Sequence, residues 1–365
     1  MARVTARSAW IEGPGFDLAA FFAPALLGLA AFAAVAALGA SPLLLLWLWI
    51  VAFDGPHMLA AYSRAYGDPA LWRTRKWLLI GSLGAFLVGP ALVAMGSGLG
   101  ADWPFSAFLL LMTFYSYHHV VRQHWGFAAL YAARGASPLP RARRHLLYLS
   151  CWCPYFAFLL THPSLRQLAG PELSVNAAAV ASSLAWVCIA TWALTLLCAL
   201  GLVQRARRAG QPTQSTAYLA LTALFHGLVY LGLARAEPLF PAAQNLDQTF
   251  MMLAVVGGVF HSAQYVALIA LFHVRSSQTP ALAPTWFGRS WQRLLLVAVP
   301  FLALYAGVAC LTNVYPSCSL GFSGETSRWA LALWWGFALH HYWLDERIWH
   351  VRSDKRLRAI FQLSA

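Results

Sequence analysis

Long apolar runs constrain this chain more than any other feature of its sequence. A run of roughly 20 apolar residues can cross a bilayer as a helix, and segmentation on that basis gives about ten runs joined by short loops. Their approximate bounds are residues 16–39, 42–66, 76–99, 104–133, 142–161, 175–204, 215–234, 245–274, 290–312 and 327–350. The sequence therefore predicts an all-α, polytopic integral membrane bundle of about ten transmembrane helices, forming a single transmembrane domain over residues 1–365.

Composition and charge support a membrane location. Hydrophobic residues make up 60% of the chain and charged residues only 10%, whereas soluble domains carry about 25% charged residues. The net charge of +13 is confined largely to alternate loops and the tail, which is the positive-inside pattern. This pattern predicts that both termini are cytoplasmic. It also predicts a multi-pass protein of a bacterial-type cytoplasmic (inner) membrane, with lipids rather than nucleic acid as partners.

Histidines occur beside other polar groups in four of the apolar runs. Polar and ionisable groups are costly inside a bilayer and generally mark functional sites there. The four clusters contain Asp54 and His57; His118, His119, Arg122 and His124; His261 and Tyr265; and His340, His341 and Asp345. Under the predicted topology, all four runs cross from the outside to the inside. The clusters therefore belong to helices of one orientation.

The clusters also lie at similar depths. His57 precedes the basic residue Arg73 by 16 positions, and His341 precedes Arg352 by 11 positions. At about 1.5 Å per residue, these separations place the clusters between the midplane and the cytoplasmic side. Unrelated core histidines have no reason to share a depth, so the pattern favours one common site.

We therefore predict a metal centre. Histidines with a few carboxylates and no thiolates suit iron, copper or zinc, and their number exceeds what one tetrahedral zinc needs. Iron, as a dinuclear centre, is favoured over zinc or copper. The predicted ligands are His57, His118, His119, His124, His261, His340, His341 and Asp345, and the predicted catalytic residues are Arg122, Asp54 and Tyr265.

Three of the four clusters also have a structural interpretation. Pro56 predicts a helix kink beside Asp54, the second cluster could be a polar network that fixes helix packing, and His261 alone would suit a hydrogen-bonded core. The remaining histidines are interpreted as structural, although His226 lies mid-span and could reach the same depth. For Cys310 and Cys318, a disulfide and simple packing both remain open.

Short motifs resemble two enzyme families. His119 and His124, with four residues between them, resemble the first histidine box of the membrane-bound fatty acid desaturase and hydroxylase superfamily. The pairs His118-His119 and His340-His341 resemble its other boxes, but Phe114, Tyr115, Gly336 and Phe337 stand where those boxes have another His or Gln. Gly55-Pro56-His57 resembles a Pro-His-Gly segment of bacterial membrane β-carotene dioxygenases. These resemblances imply iron-dependent oxygen chemistry.

The sequence thus favours a membrane-bound, iron-dependent oxidoreductase that uses dioxygen. Its substrate would be a hydrophobic or lipid-like small molecule entering from the bilayer. A separate electron donor is expected, since no flavin or haem-attachment motif is visible. Two alternatives remain: a haem-binding membrane protein, and a proton- or ion-coupled transporter or channel that uses the histidines with Asp54, Arg122 and Asp345 as a relay.

Overall fold

The structure, a computed structural model, is all-α throughout the residues that it describes, as predicted. These are residues 9–38, 42–136, 139–162, 175–233, 246–279, 285–287, 291–312, 324–351 and 354–363. The α-helices are α1 Pro14–Asp17, α2 Pro24–Ala37, α3 Pro42–Trp49, α4 Gly55–Tyr66, α5 Pro69–Ser82, α6 Ala85–Leu99, α7 Trp103–Arg134, α8 Arg141–Thr161, α9 Val175–Arg208, α10 Gln214–Gly227, α11 Leu246–Gln278, α12 Trp291–Leu311, α13 Gly324–Ile348 and α14 Lys355–Ile360. Cys318 lies outside the described residues, so the cysteine alternatives stay open.

Several of these helices are long and apolar enough to cross a membrane, as expected of a multi-pass membrane protein. Among the described residues there are 5 such helices, or 6 if the bent pair Pro14–Phe22 and Pro24–Ala34 forms one span. The predicted count of ten spans is therefore not supported, and neither is the predicted orientation of the termini. The long helices α7 and α13 are absent from this set, because their histidine, tyrosine and arginine side chains lower their hydropathy.

The Cα atoms cluster into two compact units. Unit 1 lies within Met1–Leu46 and Val121–His261, and unit 2 lies within Trp47–Val120 and Ser262–Leu363. The helices α7 and α11 each contribute residues to both units.

Unit 1 is built around three mutually packed helices, α8, α9 and α10. Gly227, at the end of α10, permits a close approach to α9, because a Cβ at this position would lie 2.0 Å from the Trp192 ring. The Trp192 indole N–H also donates to the Ala223 carbonyl at 2.8 Å. The small residue and the indole hydrogen bond together hold α9 against α10.

Unit 2 contains a local break directly before His57. Residues Ile50–Asp54 form a π-helical turn, and the Gly55 N–H bonds to the Ile50 carbonyl five residues earlier. Pro56 has no N–H to donate, and the wider turn accommodates it without the loss of the helix. Gly55 keeps this site close-packed, since a Cβ would lie 2.8 Å from the Leu302 side chain on α12 and 3.0 Å from the Ile50 carbonyl oxygen. The predicted disturbance at Pro56 is therefore a π-helical turn that feeds into α4.

The helices α6 and α13 form the most extensive helix pair of unit 2. A Cβ at Gly89 on α6 would lie 2.6 Å from the Ala332 carbonyl oxygen on α13. A Cβ at Gly98, in the same helix, would meet nothing within 4 Å. Only the first glycine is therefore needed for the close contact between these helices.

We expect Gly89→Ala to destabilise the protein by about 1–3 kcal/mol, because the methyl group overpacks against backbone that cannot move aside. Gly98→Ala is the matched control and should be neutral or stabilising by up to about 1 kcal/mol, since alanine favours a helix. Unfolding in detergent, followed by circular dichroism, compares the two. Equal effects of the two substitutions would contradict the proposed contact.

Candidate metal centre

Four buried histidines converge in the structure. His57, His119, His261 and His341 each offer one ligand nitrogen, and these four atoms all lie within 4.8 Å of one another. His57, His119 and His341 belong to unit 2, on α4, α7 and α13. His261 lies on α11, directly before the part of that helix assigned to unit 2. We call this set the four-histidine group.

Two members of the group, His57 and His341, are in direct contact. Their Nε2 atoms are 2.7 Å apart, and their rings are nearly perpendicular, at 88°. This separation suits a hydrogen bond, and an outward shift of a few tenths of an ångström would bring it to the spacing of about 3.0–3.4 Å expected for two nitrogens bound to one ion at about 2.1 Å. His341 is fully buried and His57 is 1% exposed. The pair is therefore buried and close to the spacing of two metal ligands.

A carboxylate lies on the far side of His341. Asp345, one helical turn later in α13, places Oδ2 3.8 Å from His341 Nδ1 and 4.0 Å from His119 Nε2. Its other oxygen accepts a hydrogen bond from the Tyr265 hydroxyl at 2.7 Å. Both distances are those of an ion pair rather than of a hydrogen bond, so the carboxylate acts on these imidazoles as a nearby negative charge. Asp345 and Tyr265, both predicted site residues, thus lie beside the group.

Aromatic rings pack directly against the imidazoles. Tyr265 lies 4.6 Å from the His57 ring between centroids, and Tyr342 stacks on His119 at 4.4 Å. These contacts restrict the rotation of the imidazoles and give the group an apolar boundary. Such packing holds ligands in one rotamer before a metal arrives.

Asp54 is buried in unit 2 and accepts a hydrogen bond from Tyr305 on α12. It ends the π-helical turn that precedes α4. The structure thus places this predicted catalytic residue at the break before His57, where it contacts a tyrosine.

The other predicted ligands lie outside the four-histidine group. His340 Nε2 lies 2.8 Å from the Tyr66 hydroxyl and 2.9 Å from Ser82 Oγ. His118 is partly buried on α7. His124 is buried within unit 1, with Nδ1 2.9 Å from the Tyr218 hydroxyl. The predicted catalytic residue Arg122 lies on an exposed face of α7.

Helix geometry explains the split within each adjacent pair. Consecutive residues of an α-helix point about 100° apart. When His341 faces His57, His340 must face elsewhere, and it meets Tyr66 and Ser82. The same rule separates His119 from His118. The sequence pattern could therefore identify the pairs but could not choose between their members.

Comparison with known proteins gives no family whose model matches this chain, and no curated protein or solved structure that is similar to it.

Proposed function

We propose that this chain is a membrane-bound metalloenzyme, an iron-dependent oxidoreductase that uses dioxygen on a hydrophobic, lipid-like substrate. One observation carries the proposal: four buried imidazoles from four helices, with ligand atoms within 4.8 Å of one another. Buried polar side chains on membrane helices are kept mainly for function. Imidazole ligands without thiolates suit iron, copper and zinc.

In this proposal the four-histidine group holds the metal, and bound iron supplies one-electron and dioxygen chemistry. Asp345 places a carboxylate oxygen 3.8 Å from His341 and 4.0 Å from His119, within ion-pair distance of both imidazoles, and Tyr265 holds Asp345 in place through the 2.7 Å hydrogen bond. The aromatic rings of Tyr265 and Tyr342 limit water access to the imidazoles. These roles need only side chains that are already in position.

Apolar surroundings support a hydrophobic substrate. Two of the four histidines, His57 and His261, lie on helices apolar enough to cross a membrane, and aromatic rings line the imidazoles. A substrate that enters from lipid would match these walls, whereas a charged substrate would lose its hydration without compensation. Electrons would come from a separate donor.

Haem fits the His57–His341 pair poorly. Two axial nitrogens of a six-coordinate haem lie on opposite faces of the macrocycle, about 4 Å apart, which is twice a metal–nitrogen bond of about 2 Å. The Nε2 atoms of His57 and His341 are only 2.7 Å apart. The separation of this pair favours a non-haem ion there. Four imidazoles suffice for one ion, so a second iron would need ligands from elsewhere.

The full-length protein, purified in detergent after anaerobic loading with ferrous iron, tests the proposal. We expect iron to remain bound after desalting, without a haem Soret band in the visible spectrum. Nitric oxide is a probe for an open coordination position and should give the electron paramagnetic resonance signal of a non-haem ferrous–nitrosyl adduct. Iron should also be oxidised by dioxygen and reduced again by an added donor.

The outcomes separate the parts of the proposal. Well-folded protein that retains no iron would overturn the metal centre. Bound iron that gives neither a nitrosyl adduct nor redox cycling would indicate a structural metal and overturn the oxidoreductase assignment. A Soret band with stoichiometric haem would favour the haem-binding alternative.

A further inference from the structure

Two histidines face each other inside unit 1. His124 on α7 and His226 on α10 have ring centroids 5.4 Å apart and ring planes at 88°. Both are buried, with exposed fractions of 0% and 2%. We call them the unit 1 pair. His226 was not among the predicted ligands, because its helix runs opposite to those of the four clusters in the predicted topology.

Apolar rings surround the pair. Phe260 lies 4.8 Å from the His124 ring, and Tyr230 stacks on His226 at 6.1 Å. Phe225 lies 5.7 Å from His226. Such walls disfavour a charged imidazole, and the neutral form is the one that binds metals. The surroundings of the pair therefore keep both rings in the ligand form.

Tyr218 makes the kind of hydrogen bond that typically orients a metal-binding histidine through its second ring nitrogen. Its hydroxyl lies 2.9 Å from His124 Nδ1, and a metal-ligating histidine usually bonds through its other ring nitrogen to an oxygen atom. The remaining nitrogen, His124 Nε2, is buried and makes no hydrogen bond within the described part of the chain. A buried polar atom in this condition calls for a ligand such as a water or an ion.

We infer that His124 and His226 hold a second metal ion, of the first-row transition series that imidazole prefers. Tyr218 positions His124 by bonding to Nδ1, which leaves Nε2 for the metal. Two protein ligands leave coordination positions for water or an added ligand, so this site binds more weakly than the four-histidine group. The inference stands on the unit 1 pair and does not depend on the proposed oxidoreductase activity.

Cobalt(II) is a suitable probe, because its visible spectrum reports on the ligands around it. Full-length protein in detergent is stripped with a chelator, titrated with Co(II), desalted and analysed for bound metal. We expect about two equivalents per chain in two steps of different affinity. His226→Gln should lose the weaker step and keep the tighter one, and His341→Gln should lose the tighter step and keep the weaker one.

The cobalt titration includes a control variant, folding checks and replacement variants. His145→Ala, at an exposed histidine of α8, should leave both steps unchanged. Size-exclusion profiles and melting curves verify folding. If His226→Gln does not fold, then His124→Gln and Tyr218→Phe replace it: the first should abolish the weaker step, and the second should weaken it by about 10–100-fold.

Three outcomes of the cobalt titration would contradict one of the two metal sites. Wild-type cobalt stoichiometry in folded His226→Gln or His124→Gln would overturn the second site. A single step lost only in His341→Gln would also overturn it, while leaving the proposed metal centre intact. A single step lost only in His226→Gln would keep the second site and remove the four-histidine group as a metal centre.

Discussion

We expect His341→Gln to remove the metal held by the four-histidine group, whereas His340→Gln, at the adjacent position, should leave that metal bound. His341 Nε2 lies 2.7 Å from His57 Nε2 within the four-histidine group. His340 Nε2 instead contacts the Tyr66 hydroxyl and Ser82 Oγ. Removing an orienting partner of a ligand already costs about 10–100-fold in metal affinity, so losing the ligand itself should cost at least about 100-fold.

The metal-to-protein ratio after desalting measures this difference. His340→Gln should cost about 1–3 kcal/mol of stability through its disturbed hydrogen bonds, so melting curves accompany the metal analysis. Comparable metal loss in both variants would contradict the assignment of His341 over His340. So would metal loss in His340→Gln alone.

Asp68→Ala should be among the most destabilising single substitutions in unit 2. Asp68 is fully buried and lies 2.6 Å from Arg64, which is 1% exposed. It also pairs with Arg356 on α14. Without the carboxylate, two guanidinium groups would share a buried site uncompensated. Breaking a buried ion pair in this way costs about 3–5 kcal/mol.

The network explains why this cost should affect several helices at once. Asp68 also accepts from the Ala70 N–H at 3.0 Å and so caps α5, while Arg64 lies 4.2 Å over the Phe272 ring of α11. One carboxylate therefore helps to hold the end of α4, the start of α5 and the helix α14. Since α4 also carries His57, the network supports one wall of the four-histidine group.

An exposed pair provides the matched control for Asp68→Ala. Arg328 and Asp102 are also 2.6 Å apart, but their side chains are 35% and 77% exposed. Asp102→Ala should therefore cost no more than about 1 kcal/mol. Detergent-solubilised protein unfolded by heat or denaturant gives both values. Similar losses for the two substitutions would contradict a buried ionic network around Asp68.

Residue type and local pattern predicted much of the fold. Apolar runs predicted helices, and the structure is all-α with five or six candidate membrane spans. The count of ten was not supported: in the described part of the chain α7 and α13 are not apolar enough to qualify, and Leu295–Leu311 is apolar but short. A run such as α13 can be helical and partly buried by its neighbours without being apolar enough to qualify as a span.

The sequence predicted which histidine clusters supply the candidate site, but not which member of each adjacent pair. Each of the four predicted histidine clusters contributes one member to the four-histidine group. The predicted neighbours Asp345 and Tyr265 lie beside it. The sequence pattern could indicate these clusters because a polar group in an apolar run is conspicuous wherever the helix packs.

The sequence by itself determined the helical class, the membrane character and the four clusters that supply the histidines. Only the tertiary structure decided that His119 and His341 face the group while His340 contacts Tyr66 and Ser82, and that His226 faces His124. The physical reason is that hydropathy and residue type are local properties of the chain. The direction in which a side chain points, and what it meets there, depend on how each helix is rotated and packed against its neighbours.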